Sequence, residues 1–138
     1  MAEKLLTYVD ASVLILASGK ENLEQRLRAL KVLGDRRRAF VASEFLRLET
    51  LPHAKHFGKH RQAAFLQRFF THTVTQWVLD ERALFAPAAE LIEQYNLQLI
   101  DALHLAAAIS CKAEFVTAEK PTKPFFAAYS RVATIYSV

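Results

Sequence analysis

Residues 5–15 read LLTYVDASVLI, and the fold follows from how this stretch divides. Leu5 to Val9 is a short, almost wholly apolar run, the pattern of a parallel strand buried on both faces. Asp10 ends that run. A carboxylate directly after a central strand sits at the carboxyl edge of the sheet, where open α/β folds place their ligand crevice. Ser12 offers a hydroxyl close to the acid, and Val13 to Ala17 continue as a helix. Asp10 or Ser12 can also simply cap that helix, a role both residue types favour.

Working outward, Glu21 to Leu33 carries Leu23, Leu27, Leu30 and Leu33 at helical spacing, with Gly34 placed to end the helix. Arg38 to Ser43 (RAFVAS) reads as a second strand, and Ser43 can cap the helix from Glu44 to about His56. An interruption of that helix is expected near Leu51-Pro52, because proline disfavours helical geometry at the residue before it. A helix from Lys59 to about His72 holds Ala63, Ala64, Phe65, Leu66, Phe69 and Phe70, a surplus of apolar surface that suggests a partner. Thr75 to Asp80 reads as a third strand and Leu84 to Tyr95 as a helix, with Pro87 in its first turn.

Ile100 to Cys111 is an alanine-rich helix, with His104 at or near the core, and Ala113 to Thr117 is a fourth strand with Glu119 just beyond it. Phe125 to Tyr129 reads as a short helix and Val132 to Val138 as an edge strand. Strands alternating with helices indicate a parallel sheet covered on both faces.

Composition narrows the class. The chain has 138 residues, of which 52% are hydrophobic, enough for the core of one domain spanning residues 1–138. Three glycines and four prolines, none clustered, mark no linker. The opening Met-Ala-Glu-Lys lacks the features of a secretory signal, and no apolar run approaches the roughly 18 residues of a membrane helix. A cytoplasmic protein with no membrane partner is expected. The single cysteine, Cys111, excludes an internal disulfide and reads as a small buried helix residue.

A formal charge of +4 favours polyanionic partners. Arg36, Arg37 and Arg38 form one basic run; Lys55, Lys59 and Arg61, interleaved with His53, His56 and His60, form another. Together they suit a phosphate backbone at the rim of a cleft, whereas each run taken separately reads better as a solvated helix surface.

Four acids can be placed on one edge of the sheet. Asp10 and Glu119 follow strands, Asp101 opens a helix, and Glu49 lies one to two turns into the helix after strand two. Glu49 has Leu46 and Phe45 as helical neighbours, so it leaves a largely apolar face and needs a partner. Glu44 is explained by the helix dipole, and Asp80 by capping the next helix. Carboxylates sharing a cleft raise one another's pKa unless something positive lies between them. Oxygen ligands favour Mg²⁺ or Mn²⁺ over zinc, and either ion can activate water for attack on a phosphodiester.

Two other chemistries fit less well. An aspartyl-phosphate phosphatase places a second acid two residues after the first, where this chain has Ser12. A zinc site from His53, His56 and His60 is opposed by Gly58 and the basic neighbours.

With those residues in view, the chain resembles the PIN-domain family, in particular the ribonuclease toxins of VapBC-type toxin–antitoxin pairs. The segments that carry the resemblance are YVDASVLI at 8–15, SEFLRLE at 43–49, DALHLAAAI at 101–109 and FVTAE at 115–119. Each is short; their combined order and spacing match over essentially the whole chain. The family's acids fall on Asp10, Glu49, Asp101 and Glu119, and the hydroxyls of Ser12 and Thr117 match supporting positions beside its metal site.

The resemblance implies a three-layer α/β/α sandwich around a mainly parallel sheet of four to five strands. It also implies Mg²⁺- or Mn²⁺-dependent endoribonuclease activity, a homodimer, and inhibition by a cognate antitoxin. On that reading the four acids are catalytic and bind the metal, with Glu119 acting directly or through water. The two basic runs are candidates for RNA contact, and Phe65, Phe69 and Phe70 for antitoxin or dimer contact. Ala118 and Glu119 depart from the family pattern, in which the last acid is often an aspartate after asparagine. A PIN-like module that binds RNA or protein but cleaves weakly, and a DNA-directed nuclease, are the alternatives.

Overall fold

A computed structural model describes residues 3–138; Met1 and Ala2, which begin the Met-Ala-Glu-Lys opening, lie outside the described residues. The expected first strand is β1 (Leu5–Val9), and it is central. Tyr8 and Val9 are fully buried, as a strand covered on both faces requires. The chain continues through α1 (Ala11–Ser18), α2 (Leu23–Leu33), β2 (Arg38–Ala42), α3 (Glu44–His56) and α4 (His60–Arg68). A π-helical turn, Phe69–Thr73, leads into β3 (Val74–Trp77). A 3₁₀ turn at Glu81–Leu84 precedes α5 (Phe85–Tyr95), α6 (Leu99–Ser110), β4 (Glu114–Thr117), α7 (Phe125–Ala128) and β5 (Val132–Thr134).

The five strands form one sheet in the order β3-β2-β1-β4-β5, with every pairing parallel. Helices α1 to α4 pack among themselves and α5 to α7 among themselves, giving the α/β/α sandwich. Strand order reverses between β1 and β4, so the carboxyl ends of those two strands flank the crevice where such sheets bind ligands. Residues 102 to 108 of α6 are buried without a break, because small alanines let the helix press on the sheet on one side and on neighbouring helices on the other.

Several elements differ from the sequence reading. Helix α3 runs unbroken through Pro52. Proline removes the bond to the carbonyl four residues back, that of Leu48, and Leu48 lies on the exposed side of the helix where water can replace the donor. Because Pro52 is itself exposed, Pro52→Ala should raise stability by about 1–2 kcal/mol, measured by urea unfolding. Only half of the α2 leucine stripe meets the core: Leu30 and Leu33 pack against it beside the buried Ala29 and Val32, while Leu23 and Leu27 are exposed.

The apolar surplus after Lys59 is no partner surface either. Helix α4 ends at Arg68, and the π turn carries Phe69 and Phe70 inward, where Phe69 meets Phe40 and Phe70 meets Trp77. Strand β5 stops at Thr134 instead of running to Val138, although Ile135 beyond it is buried. Cys111 is part-exposed at the end of α6, not buried within it.

Candidate active site

Asp10 stands at the junction of β1 and α1 with only 6% of its surface exposed. Its backbone N–H donates to Val116 O at 3.2 Å, which ties it to β4. The side chain does two jobs at once. It caps α1 by accepting the Val13 N–H at 3.4 Å, and it accepts hydroxyl protons from Ser12 on one oxygen and from Thr117, at 2.6 Å, on the other. Those hydroxyls are aimed by the turn after β4: Ala118 N–H donates to Ser12 Oγ at 3.0 Å and Glu119 N–H to Thr117 Oγ1 at 3.1 Å. Burial pushes the Asp10 pKa up, while the Ser12 and Thr117 hydrogen bonds pull against it.

Asp101 lies in the first turn of α6, half-buried, and among the described residues it has no side-chain hydrogen bond. Burial raises its pKa, and the nearby Glu49 and Glu119 carboxylates raise it further, against an opposite pull from His104 and Lys123. Three acids from α3, α6 and the turn after β4 therefore share one electrostatic environment. Glu49 is held by His104, whose Nε2 lies 2.7 Å from Glu49 Oε1; 32% of the Glu49 side chain remains exposed. Glu119 is looser, with Lys123 Nζ 4.0 Å from its carboxylate.

His104 is the site residue that the sequence reading assigns only to the core. It is 1% exposed, as a core position requires, yet both ring nitrogens are engaged, Nδ1 with the Tyr8 hydroxyl at 2.7 Å. The signal is present in the spacing, since Asp101 and His104 are three residues apart and share a helix face. Tyr8 is buried beneath the acids, and burial drives its pKa well above the usual phenol value, so its hydroxyl keeps its proton. Glu44 and Asp80 have the local roles expected for them. Glu44 opens α3 and pairs with Arg47, and Asp80 caps the 3₁₀ turn through the Ala83 N–H.

The basic runs lie elsewhere. Arg38 pairs in register with Leu5, at the amino edge of the sheet, and β1 rises about 3.3 Å per residue, which places Asp10 roughly 16 Å away. Arg38 is also buried, bonded to Glu114 at 2.7 Å and Thr7 at 3.0 Å, so it is not available to RNA. Arg37 is exposed and pairs with Asp35 at 3.0 Å, which holds Asp35 down at a pKa of about 2. Lys59 and Arg61 line a cleft of about 800 Å³ against Ser18 and Gly19, the end of α1 remote from Asp10. His53 and His56 pack on Phe57, with ring centroids at 4.7 and 4.8 Å.

Among the described residues, no three His, Cys, Asp or Glu side chains already stand at metal-ligand spacing. The chemistry of the set nevertheless fits a hard cation. Its donors are carboxylate oxygens, two of them from acids whose charged form is disfavoured as they stand. Asp10 and Glu49 are anchored, whereas Asp101 and Glu119 are free to close on an ion.

Residues 7–121 match the PIN domain family. No curated protein matches the chain. Similar folds occur in a toxin–antitoxin complex from Klebsiella pneumoniae, at 24% identity over 96% of this chain and 99% of that one, with TM-score 0.65. VapBC2 from Rickettsia felis, bound to a DNA fragment from its promoter, aligns at 14% identity over 94% and 97% of the two chains, with TM-score 0.65. FitAcB from Neisseria gonorrhoeae aligns at 14% identity over 96% and 99%, again with TM-score 0.65. The sandwich, the order of its strands and the family match across most of the sequence agree: this chain belongs to the PIN-domain family.

Proposed function

We infer that the protein is a divalent-metal-dependent endoribonuclease acting as the toxin of a toxin–antitoxin pair. One observation carries the reading most directly. Asp101 is a half-buried carboxylate without a hydrogen bond among the described residues, its pKa pushed up by burial and by two further acids. Such a group is stabilised by a cation, and oxygen donors select Mg²⁺ or Mn²⁺. When bound, the ion supplies Lewis-acid polarisation of the scissile phosphate and acidifies the attacking water.

The protein's own residues do the rest. Asp10, fixed by Ser12, Thr117 and Val13, provides an anchored oxygen pair, and Glu49 a second anchored donor. Asp101 and Glu119 complete the set. Lys55, Lys59 and Arg61 are left to guide the flanking RNA by contacts to phosphate, which carry no sequence information.

The neighbour described as a toxin–antitoxin complex supports an antitoxin partner, and a homodimer belongs to the same reading. Exposed Ile15, Leu23 and Leu27 on adjoining helices α1 and α2 give a protein partner apolar surface to cover. No helix of the described residues is long and apolar enough to cross a membrane, and a cytoplasmic location suits an RNA substrate.

The test is cleavage of a mixed RNA pool, and of a matched DNA, with Mg²⁺, Mn²⁺ or chelator. Metal-dependent cutting of RNA and not DNA supports the reading; cutting that survives chelation overturns it. Glu119→Ala should lower the rate about tenfold, a supporting ligand's effect, because the side chain is half-exposed and, among the described residues, held by Lys123 alone. The second reading is a PIN-like module that binds RNA or protein and cleaves weakly, favoured by the spread of the carboxyl groups. RNA retention without cleavage under either metal would establish it.

A further inference from the structure

The hydrogen bonds behind Glu49 form a series with one consistent direction. Ser43 Oγ lies 2.7 Å from the Tyr8 hydroxyl, that hydroxyl 2.7 Å from His104 Nδ1, and His104 Nε2 2.7 Å from Glu49 Oε1. An ionised carboxylate only accepts, so the imidazole proton sits on Nε2 and points at Glu49. In the neutral ring Nδ1 then accepts the Tyr8 O–H, and the Tyr8 oxygen accepts the Ser43 O–H. Ser43 Oγ in turn accepts the Leu46 N–H at 3.2 Å, the cap of α3. Every proton in the series has an acceptor. Reversing it would leave the Ser43 proton without one among the described residues.

The members of this series are immobilised by packing. Tyr8 stacks on Phe115 at 6.1 Å with 11° between the rings, and both Tyr8 and His104 are almost wholly removed from solvent. Glu49 differs, since its side chain is about one-third exposed and has three rotatable bonds, so nothing local to α3 would hold its carboxylate in one place. The long-range contact from α6 does so. The same turn that bears Asp101 thereby fixes Glu49, across the interface of α3 and α6.

The geometry points to His104 as a positioning residue that, braced by Tyr8 and Ser43, presets the Glu49 carboxylate for the divalent cation. This rests on the metal-dependent reading above. Partners behind a ligating side chain fix its orientation, and their loss typically costs 10–100-fold in metal affinity.

The experiment titrates the metal-free, full-length protein with Mn²⁺ alone, followed by electron paramagnetic resonance and calorimetry, so that no substrate enters the readout. Wild type should bind, and Asp10→Asn should lose binding. His104→Leu should weaken binding about tenfold or more. His104→Gln places an amide N–H near the Nε2 position and should recover most of that loss. Tyr8→Phe should weaken binding in the same direction by less, and in a Glu49→Gln background His104→Leu should change nothing further.

A merely structural histidine would lower the unfolding midpoint and leave Mn²⁺ affinity of the folded protein intact; that result overturns the proposal. So does His104→Gln binding no better than His104→Leu. If the leucine variant does not fold, Tyr8→Phe decides, and wild-type affinity there overturns the proposal. Wild type that does not bind Mn²⁺ removes the metal reading and this one together. Binding lost in Asp10→Asn but indifferent to Tyr8 and His104 removes only this one.

Discussion

Asp10→Asn should abolish metal-dependent RNA cleavage while leaving the metal-free protein at least as stable as wild type at neutral pH. The loss should reach about a thousandfold or more, equivalent to roughly 4 kcal/mol of transition-state stabilisation. Asparagine keeps the volume and one acceptor oxygen for Ser12 and Val13, so the cap of α1 survives. Its amide nitrogen would face Thr117 Oγ1, and the Thr117 proton would have to turn toward Ser12 Oγ, 3.5 Å away.

The stability half of this expectation follows from linkage. The Asp10 pKa is raised above its ordinary value of 3.8 by burial, so the fold prefers the protonated acid. Stability from that preference is complete below pH 3.8 and is lost as pH rises through the raised folded value. At pH 7 the wild type carries the penalty of a buried charge and the amide does not. Thermal unfolding of both proteins from pH 4 to 8, with and without Mn²⁺, checks this. Wild type should gain more from the ion than the variant, and a variant that melts well below wild type at pH 7 would contradict the account.

Arg38→Ala should have the largest effect on stability, about 2–3 kcal/mol. Arg38 on β2 reaches beneath β1 to Glu114 on β4, bonding Thr7 on the way, and its Nε lies 3.4 Å from Asp35 without a well-formed hydrogen bond. Removing one partner of a buried pair costs about 3–5 kcal/mol. The Glu114 and Asp35 side chains are 22% and 17% exposed and can recruit water, which reduces the figure. For a chain of this size the midpoint should fall by about 6–12 °C. Arg38→Met, which keeps the aliphatic stem, should recover part of the loss. A drop below about 1 kcal/mol would show that the clamp across three strands contributes little.

The sequence is legible wherever a strand end or a helix period encodes the structure. The apolar run before Asp10 identifies the central strand, and alternation of elements identifies the parallel sheet. The edges of that sheet then place Asp10, Thr117 and Glu119 together, because each lies at or just beyond the carboxyl end of a strand. The arginine run is misplaced for a related reason. It leads into its strand, whose first residue is Arg38, and in a parallel sheet residues entering a strand lie at the opposite edge from residues leaving one. Glu49's need for a partner is legible from Phe45 and Leu46, but not that the partner includes a histidine 55 residues on. Nor does composition distinguish Phe69 and Phe70 at a surface from the same residues turned inward by a π turn. That choice is made by Phe40 and Trp77, which only the folded chain brings near.

The grip of Thr117 on Asp10 joins positions 107 residues apart. Consequently, the first acid of the site is synthesised early and finished late. A growing polypeptide already contains Asp10 and Glu49 when most of the sheet exists, yet has no β4 to insert beside β1 and no turn to aim the two hydroxyls. That order of events delays completion of the site until β4 and the turn after it have been made, so a growing chain that stops short of residue 117 holds Asp10 without the Thr117 hydroxyl that grips it.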